Sequence, residues 1–363
     1  MPAPEPRPGI LDIAPYVGGA SKAPGAARII KLSSNEGAFG PSPKAMAAFR
    51  ATAETMHRYP DGHADALREA LGAAHGLDPA RIVCGAGSDD LLILLIRCYA
   101  GPGDEVLYNR HGFLIYPISA QSVGAKPVAA PERELTADVD ALLAAVTPRT
   151  KLVMLANPNN PTGSYLSSQE IRRLHHGLPP EVLLVIDSAY AEYVVRNDYS
   201  AGAAMVTEFD NVVMTRTFSK IYGLAALRLG WAYCSPPVAD VLNRVRGPFN
   251  VSTPALQAGL AALADQEFIE SSRLHNETWR NWLAGELTGL GLHVEPSVAN
   301  FLLVKLTANG KHGVDAAFDA LAKDGILTRK VASYGLPQHL RITIGREDEM
   351  RFLVDRFKAF LAA

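Results

Sequence analysis

"KLVMLANPNNPTGSYLSSQEIRRLHHGLPPEVLLVIDSAY", residues 151–190, begins and ends on an apolar, β-branched run and holds an amphipathic segment between them. Positions 152–156 and 182–186 are apolar throughout rather than alternately, the pattern of strands covered on both faces. The intervening "SSQEIRRLHHGL" starts on serines and an acidic residue and ends on histidines and glycine, which are helix start and stop signals. Strand, helix and strand in that order predict a parallel pair joined by a helical crossover.

The same alternation extends in both directions. "RIVCGAG" (81–87), "DEVLYN" (104–109), "NVVMTRTF" (211–218) and "RLGWAYCS" (228–235) read as further buried strands, and "SDDLLILLIRCYAG" as a helix between two of them. An α/β fold follows, with a mostly parallel central sheet flanked by helices. Past residue 255 the character changes. A long helical stretch over 255–291 is followed by "VANFLLVKL", a helix near 312–324, "LRITIG" and a last helix. This predicts a smaller α+β domain over 256–363, a large domain over 41–255, and an N-terminal arm over 1–40 that joins the small domain.

Composition narrows the function. The chain has 363 residues, 48% hydrophobic and 20% charged, with a formal net charge of -2. This is a globular chain with enough length for a large core, not a disordered one. Neither the charge balance nor any apolar run supports nucleic-acid or membrane binding. The Pro-rich start, "MPAPEPRPGILDIAPYVGGA", lacks the basic-then-apolar order of a secretory leader. Cys84, Cys98 and Cys234 are too scattered for a disulfide framework or a zinc site, and the ten histidines form no ligand pattern. Buried free thiols in a reducing cytoplasm are the expectation, with no metal.

Ligands of open parallel sheets bind beyond the carboxyl ends of the strands. Unusual polar residues cluster there. Gly87-Ser88-Asp89 turns from a strand into a helix and offers free N–H groups to a phosphate, although Ser and Asp also cap ordinary helices. "NPNNPTG" (157–163) is a rigid turn whose prolines need no functional reading, whereas Asn160 should face the crevice. Asp187, after a wholly apolar run, needs a cap or a buried cation as partner. Tyr190 follows it, and Thr217, Ser219, Lys220 and Arg228 follow the next strand. Phosphate donors, a carboxylate for a protonated ring nitrogen, polar groups for a ring oxygen and a lysine amine together match the needs of pyridoxal 5′-phosphate.

In combination, "NPNNPTG", "DSAY" and "TFSKIYGLAALRLG" resemble the fold-type I aminotransferases over nearly the whole chain. "LSSNEGAFGPSP", "HRYPDG", "GAGSDDLLILLIR", "GILTRK" and "LRITIG" resemble the histidinol-phosphate aminotransferase branch. The resemblance implies that Lys220 carries the cofactor, Asp187 pairs with its ring nitrogen, and Asn160 and Tyr190 bond its ring oxygen. It puts Gly87, Ser88, Asp89, Thr217, Ser219 and Arg228 around the cofactor phosphate and Phe113 against the ring. Tyr59 would reach the cofactor of a second copy, in a homodimer. Arg341 would bind a substrate α-carboxylate with Asn35 nearby, and Tyr16 and Arg329 the phosphate of histidinol phosphate.

The implied reaction exchanges histidinol phosphate and imidazole-acetol phosphate against 2-oxoglutarate and glutamate. The alternatives are an aromatic amino acid aminotransferase, a lyase or decarboxylase on the same fold, and a non-catalytic binding protein. The sequence departs from the family pattern at Ser188, where Glu is commoner, and at "RHGF" (110–113), where many members read Pro-Thr-Tyr.

Overall fold

The computed structural model describes residues 4–22, 25, 28–307 and 310–363. Residues 1–3, 23, 24, 26 and 27 of the expected arm lie outside the described residues. In chain order, after β1 (Ile30–Lys31) of the arm, the larger unit contains α1 (Pro43–Ala51), α2 (Asp65–His75), β2 (Ile82–Gly85), α3 (Ser88–Tyr99), β3 (Glu105–Asn109), α4 (Ile115–Ser122) and β4 (Lys126–Ala130). A short hairpin follows, β5 (Glu132–Arg133) and β6 (Thr136–Ala137), and then α5 (Val139–Ala144), β7 (Thr150–Ala156) and α6 (Ser168–Gly177). The unit continues through β8 (Leu183–Asp187), α7 (Ala203–Glu208), β9 (Val212–Thr217), β10 (Gly230–Tyr233), α8 (Pro236–Val245) and α9 (Thr253–Ala264). The smaller unit holds α10 (Gln266–Gly289), β11 (His293–Glu295), β12 (Phe301–Lys305), α11 (Val314–Lys323), β13 (Ile326–Leu327), β14 (Arg329–Val331), β15 (Leu336–Thr343) and α12 (Glu347–Ala362).

The central sheet has seven strands in the order β2-β10-β9-β8-β7-β3-β4. β4, β3, β7, β8 and β9 are mutually parallel, and β10 runs antiparallel to both its neighbours. Both faces are covered, as the unbroken apolar runs require. Leu152, Met154, Leu183 and Val185 pack with Leu91, Leu95, Tyr116 and Leu242 of α3, α4 and α8. Val153, Leu155, Leu184 and Ile186 pack on the opposite face with Leu67, Leu142, Ile171, Val206 and Leu263.

The long helical stretch after residue 255 is two helices, broken at Asp265, where φ and ψ are −92° and 65°. α9 packs on α1 and α2, and its Ala255, Leu256 and Ala262 belong to the core of the larger unit. Beyond the break, α10 and α12 cover the sheet β11-β12-β15-β14. β1 of the arm pairs parallel with β13, and Ile30 and Leu32 enter the smaller unit's core. The arm therefore spans the mouth between the two units.

Candidate active site

A cavity of about 420 Å³ lies beyond the carboxyl ends of β7, β8 and β9, closed on the far side by the arm and by β14 and β15. Ser88, Asp89, Phe113, Asn160, Asp187, Tyr190, Thr217, Ser219, Lys220 and Arg228 line it, with Tyr16, Asn35, Arg329 and Arg341 opposite. Fourteen residues singled out by sequence thus meet in one place. Gly87 abuts the Arg228 guanidinium directly behind Ser88. Tyr59 does not reach this cavity. It is 82% exposed and stacks on Phe249 at 4.7 Å between ring centroids.

One end of the cavity is built for an anion. Ser88 opens α3, whose first N–H groups have no partner within the helix. Across from it, Arg228 Nη1 donates to Ser219 Oγ at 3.2 Å and Nη2 to Asp89 Oδ2 at 2.8 Å. Arg228 sits at φ 52°, a left-handed conformation uncommon for a residue with a side chain. The Ser219 N–H donates to Thr217 Oγ1 at 3.1 Å, which fixes the start of the loop.

The floor holds Asp187 at the end of β8, 5% exposed. Its Oδ2 accepts from Tyr116 Oη at 2.9 Å and its Oδ1 from Thr215 Oγ1 at 3.3 Å. Burial pushes its pKa up to about 6, against the pull of those donors. Among the described residues no cation pairs with it, so the floor presents a buried carboxylate to whatever enters. Lys220 stands half-buried above, its Nζ donating to the Ser34 carbonyl at 3.3 Å. Burial first and the Arg341 charge second lower its pKa to about 8.

The other end is cationic. Arg341 is 5% exposed; it donates to Asn160 Oδ1, and its Nη2 to the Ser33 carbonyl at 2.7 Å. Its Nε has no partner among the described residues. Arg329 Nη2 donates to the Val17 carbonyl of the arm at 2.6 Å, and its guanidinium lies 6.0 Å from the Tyr16 ring. Tyr16 in turn meets Phe113 edge-on at 6.3 Å. Asn35 Nδ2 donates to Tyr190 Oη at 2.9 Å, and burial raises the Tyr190 pKa to about 12.

The "NPNNPTG" turn divides its asparagines by task. Asn157 Nδ2 donates to the Leu166 carbonyl, and Asn159 Nδ2 to His111 O and Thr162 Oγ1. Asn160 alone turns into the cavity. Ser188, where Glu was the expected family residue, donates to the Ala201 carbonyl at 2.8 Å, away from the cavity.

Sequence reasoning missed Tyr116, Asn300 and Thr343. Tyr116 is fully buried in α4 and reads as a core aromatic, with no signal for its bond to Asp187. Asn300 Nδ2 donates to the Asn35 carbonyl at 3.0 Å, and the Asn35 N–H donates to Thr343 Oγ1 at 2.9 Å. Asn300 carried a readable signal: a polar residue immediately before an apolar strand, at the opposite end from Asp187, which closes one.

Among the described residues no helix is long and apolar enough to cross a membrane, and no group of three or more His, Cys, Asp or Glu could hold a metal ion. The family model for aminotransferase class I and II matches residues 27–357. A histidinol-phosphate aminotransferase of Rhodospirillum centenum is 61% identical over 98% of both chains, and one of Paramagnetospirillum magneticum is 60% identical over the whole of both. The crystal structure of histidinol-phosphate aminotransferase from Sinorhizobium meliloti, in complex with pyridoxal-5′-phosphate, matches with a TM-score of 0.91 at 30% identity, covering 99% of this chain and 98% of that one. The chain belongs to the class I and II aminotransferases.

Proposed function

We propose that the chain is a pyridoxal-phosphate-dependent aminotransferase acting on histidinol phosphate, with 2-oxoglutarate and glutamate as the exchanging pair. The observation that carries this is the joint exposure of the Lys220 amine and the Asp187 carboxylate to one cavity with a separate arginine site at each end. The cavity fits the cofactor on chemical grounds. A buried carboxylate without a cation suits a protonated ring nitrogen, and a helix start beside Arg228 suits a phosphate.

Pyridoxal 5′-phosphate, when bound, supplies an electron-withdrawing ring that stabilises negative charge on the substrate Cα. The chain's own groups do the rest. Ser88, Ser219, Thr217 and Arg228 hold the phosphate, and Asp187 keeps the ring nitrogen charged. Asn160 and Tyr190 bond the ring oxygen, and Phe113 covers a ring face. Lys220 anchors the cofactor through its amine. Once displaced by substrate, it takes the proton from the substrate Cα. A pKa lowered to about 8 leaves an appreciable share of that amine neutral near physiological pH. A base positioned in this way contributes on the order of 10²–10⁴-fold in rate.

The arginine end must accept two different anions. Glutamate presents an α-carboxylate, which suits the planar fork of Arg341. Histidinol phosphate has a phosphate ester in place of that carboxylate, and Arg329 with Tyr16 supplies the extra donors. Tyr59, exposed and remote from its own cavity, fits a role in the site of a second copy, so the functional unit in this reading is a homodimer.

The visible spectrum of the purified protein tests the reading. The cofactor band should bleach on adding histidinol phosphate and return with 2-oxoglutarate. A band that bleaches with phenylalanine at a greater kcat/KM than with histidinol phosphate would replace the substrate by an aromatic amino acid. No band after incubation with pyridoxal phosphate would remove the cofactor assignment.

A further inference from the structure

The stretch Arg110-His111-Gly112-Phe113, where the sequence departs from the family pattern, joins β3 to α4 and brings Phe113 to the cavity. Counted back from Phe113, His111 takes the place of the Pro that many members carry, and Gly112 that of the Thr. A proline fixes its own φ, whereas a His-Gly pair leaves the backbone free to turn. In this chain the loop is held from outside instead.

The hold is Glu132, the first residue of β5. Its side chain is 2% exposed, and that of His111 12%. Glu132 Oε1 accepts from Asn109 Nδ2 at 2.6 Å and from the His111 N–H at 3.0 Å, and Oε2 lies 2.7 Å from His111 Nδ1. An ionised carboxylate only accepts, so the imidazole carries a proton on Nδ1 and donates it. All three donors belong to residues 109–111, the segment that leads to Phe113. The bond from the His111 N–H is one that a proline could not make. From the other side, the His111 carbonyl accepts from Asn159 Nδ2 at 3.2 Å. His111 is thus held at its N–H, its ring and its carbonyl. The Gly112 N–H donates to the Asn109 carbonyl at 2.7 Å, and a Cβ at Gly112 would lie 2.9 Å from that oxygen. Phe113 follows, and its carbonyl accepts at 3.0 Å from the N–H of Tyr116, whose hydroxyl bonds Asp187.

We propose that Glu132 and His111 are positioning residues for the reaction, which fix Phe113 over the cofactor ring and Tyr116 against Asp187. Neither lines the cavity, so they act through those two side chains and not on the substrate. The proposal rests on the reading of Phe113 as the cover of the cofactor ring. Because Asn159 ties the same loop to the turn that carries Asn160, one network sets the group on the ring face and the group at the ring oxygen. The carboxylate is required for this. Glutamine keeps the shape but replaces one acceptor oxygen by an NH₂ donor, which then meets another donor on one side or the other.

Glu132→Gln, His111→Leu and His111→Asn, each loaded with saturating pyridoxal phosphate, test the proposal. Asparagine can offer a side-chain N–H near the place of the histidine Nδ1, and leucine cannot. The readouts are kcat and KM for glutamate, and the visible-region circular dichroism of the bound cofactor, which follows how its ring is set in chiral surroundings. Glu132→Gln and His111→Leu should lower kcat by about tenfold or more, as a slight misplacement of reacting groups does. They should also change the visible dichroism, with KM close to that of the unmodified protein, and His111→Asn should restore most of both. If kcat and the dichroic band stay unchanged while only the melting temperature falls, the pair merely supports the fold and the proposal is wrong. It is equally wrong if His111→Asn loses as much as His111→Leu. The two His111 variants decide the matter if Glu132→Gln does not fold. Absence of a cofactor band in the unmodified protein would be seen before any variant is made, and would remove the cofactor reading and this proposal with it.

Discussion

Asp187 shows how a single residue is tuned from its surroundings. Two hydroxyl donors hold its oxygens, and a hydrogen bond to a charged group is worth about 1.5–3 kcal/mol. Removing the Tyr116 hydroxyl withdraws the shorter of these from the ionised form, so the carboxylate becomes harder to ionise. Tyr116→Phe should therefore shift the acid limb of the kcat/KM pH profile upward by about one unit, since one unit is about 1.4 kcal/mol. The cofactor band should titrate with the same upward shift. An unchanged limb would mean that Tyr116 only fills space. Lys220 is tuned in the opposite sense, its amine pushed down to about 8 by burial and by Arg341. Lys220→Ala should lose nearly all turnover while its fold is retained, as judged by circular dichroism.

At the scale of elements, the phosphate end depends on how closely β10 approaches the start of α3. A Cβ at Gly230 would lie 2.3 Å from the Ser88 N and 2.5 Å from the Gly87 carbonyl carbon. Both are backbone atoms that no rotamer change can move aside. Gly230→Ala should thus displace the α3 start and destabilise by about 1–3 kcal/mol, the usual range for overpacking. Its cofactor affinity should fall much more than its substrate KM rises, which equilibrium dialysis and steady-state kinetics would separate. The strand β4 and the helix break at Asp265 escaped sequence reading for identifiable reasons. β4 begins Lys-Pro, a poor strand signal, but it is the edge strand, where proline costs no central ladder bond. The break at Asp265 interrupts an apolar pattern that runs on through it. It is set by α9 packing on α1 and α2 while α10 joins the smaller unit.

For the molecule as a whole, the site is held at a cost to the cofactor-free fold. A carboxylate whose pKa rises to about 6 in the folded state from an ordinary 3.8 binds its proton more tightly folded than unfolded. The folded state therefore gains stability as pH falls through about 6 and is penalised above it, by about 3 kcal/mol at pH 8 by linkage. Asp187→Asn removes the charge, so the cofactor-free variant should melt higher than the unmodified protein at pH 8. The gap should close below about pH 4, while cofactor binding by the variant is weakened at every pH. Equal melting temperatures across that range would contradict this account. The exposed Tyr59–Phe249 pair suggests a second copy as its cover. Sedimentation should give a dimer, and Tyr59→Ala should weaken cofactor binding although Tyr59 is distant from its own cavity.

Unbroken apolar runs determined the buried parallel strands, because a strand covered on both faces leaves no position for alternation. Asp187, Asn160 and Lys220 stood out in sequence for a related reason: each is a polar residue at a strand end, where the chain turns into a ligand crevice. Tyr116 and Thr343 did not, since their roles rest on partners 71 or more residues away that no local pattern encodes. Local chemistry is written in the order of residues, whereas the company a side chain keeps across the chain is decided by packing.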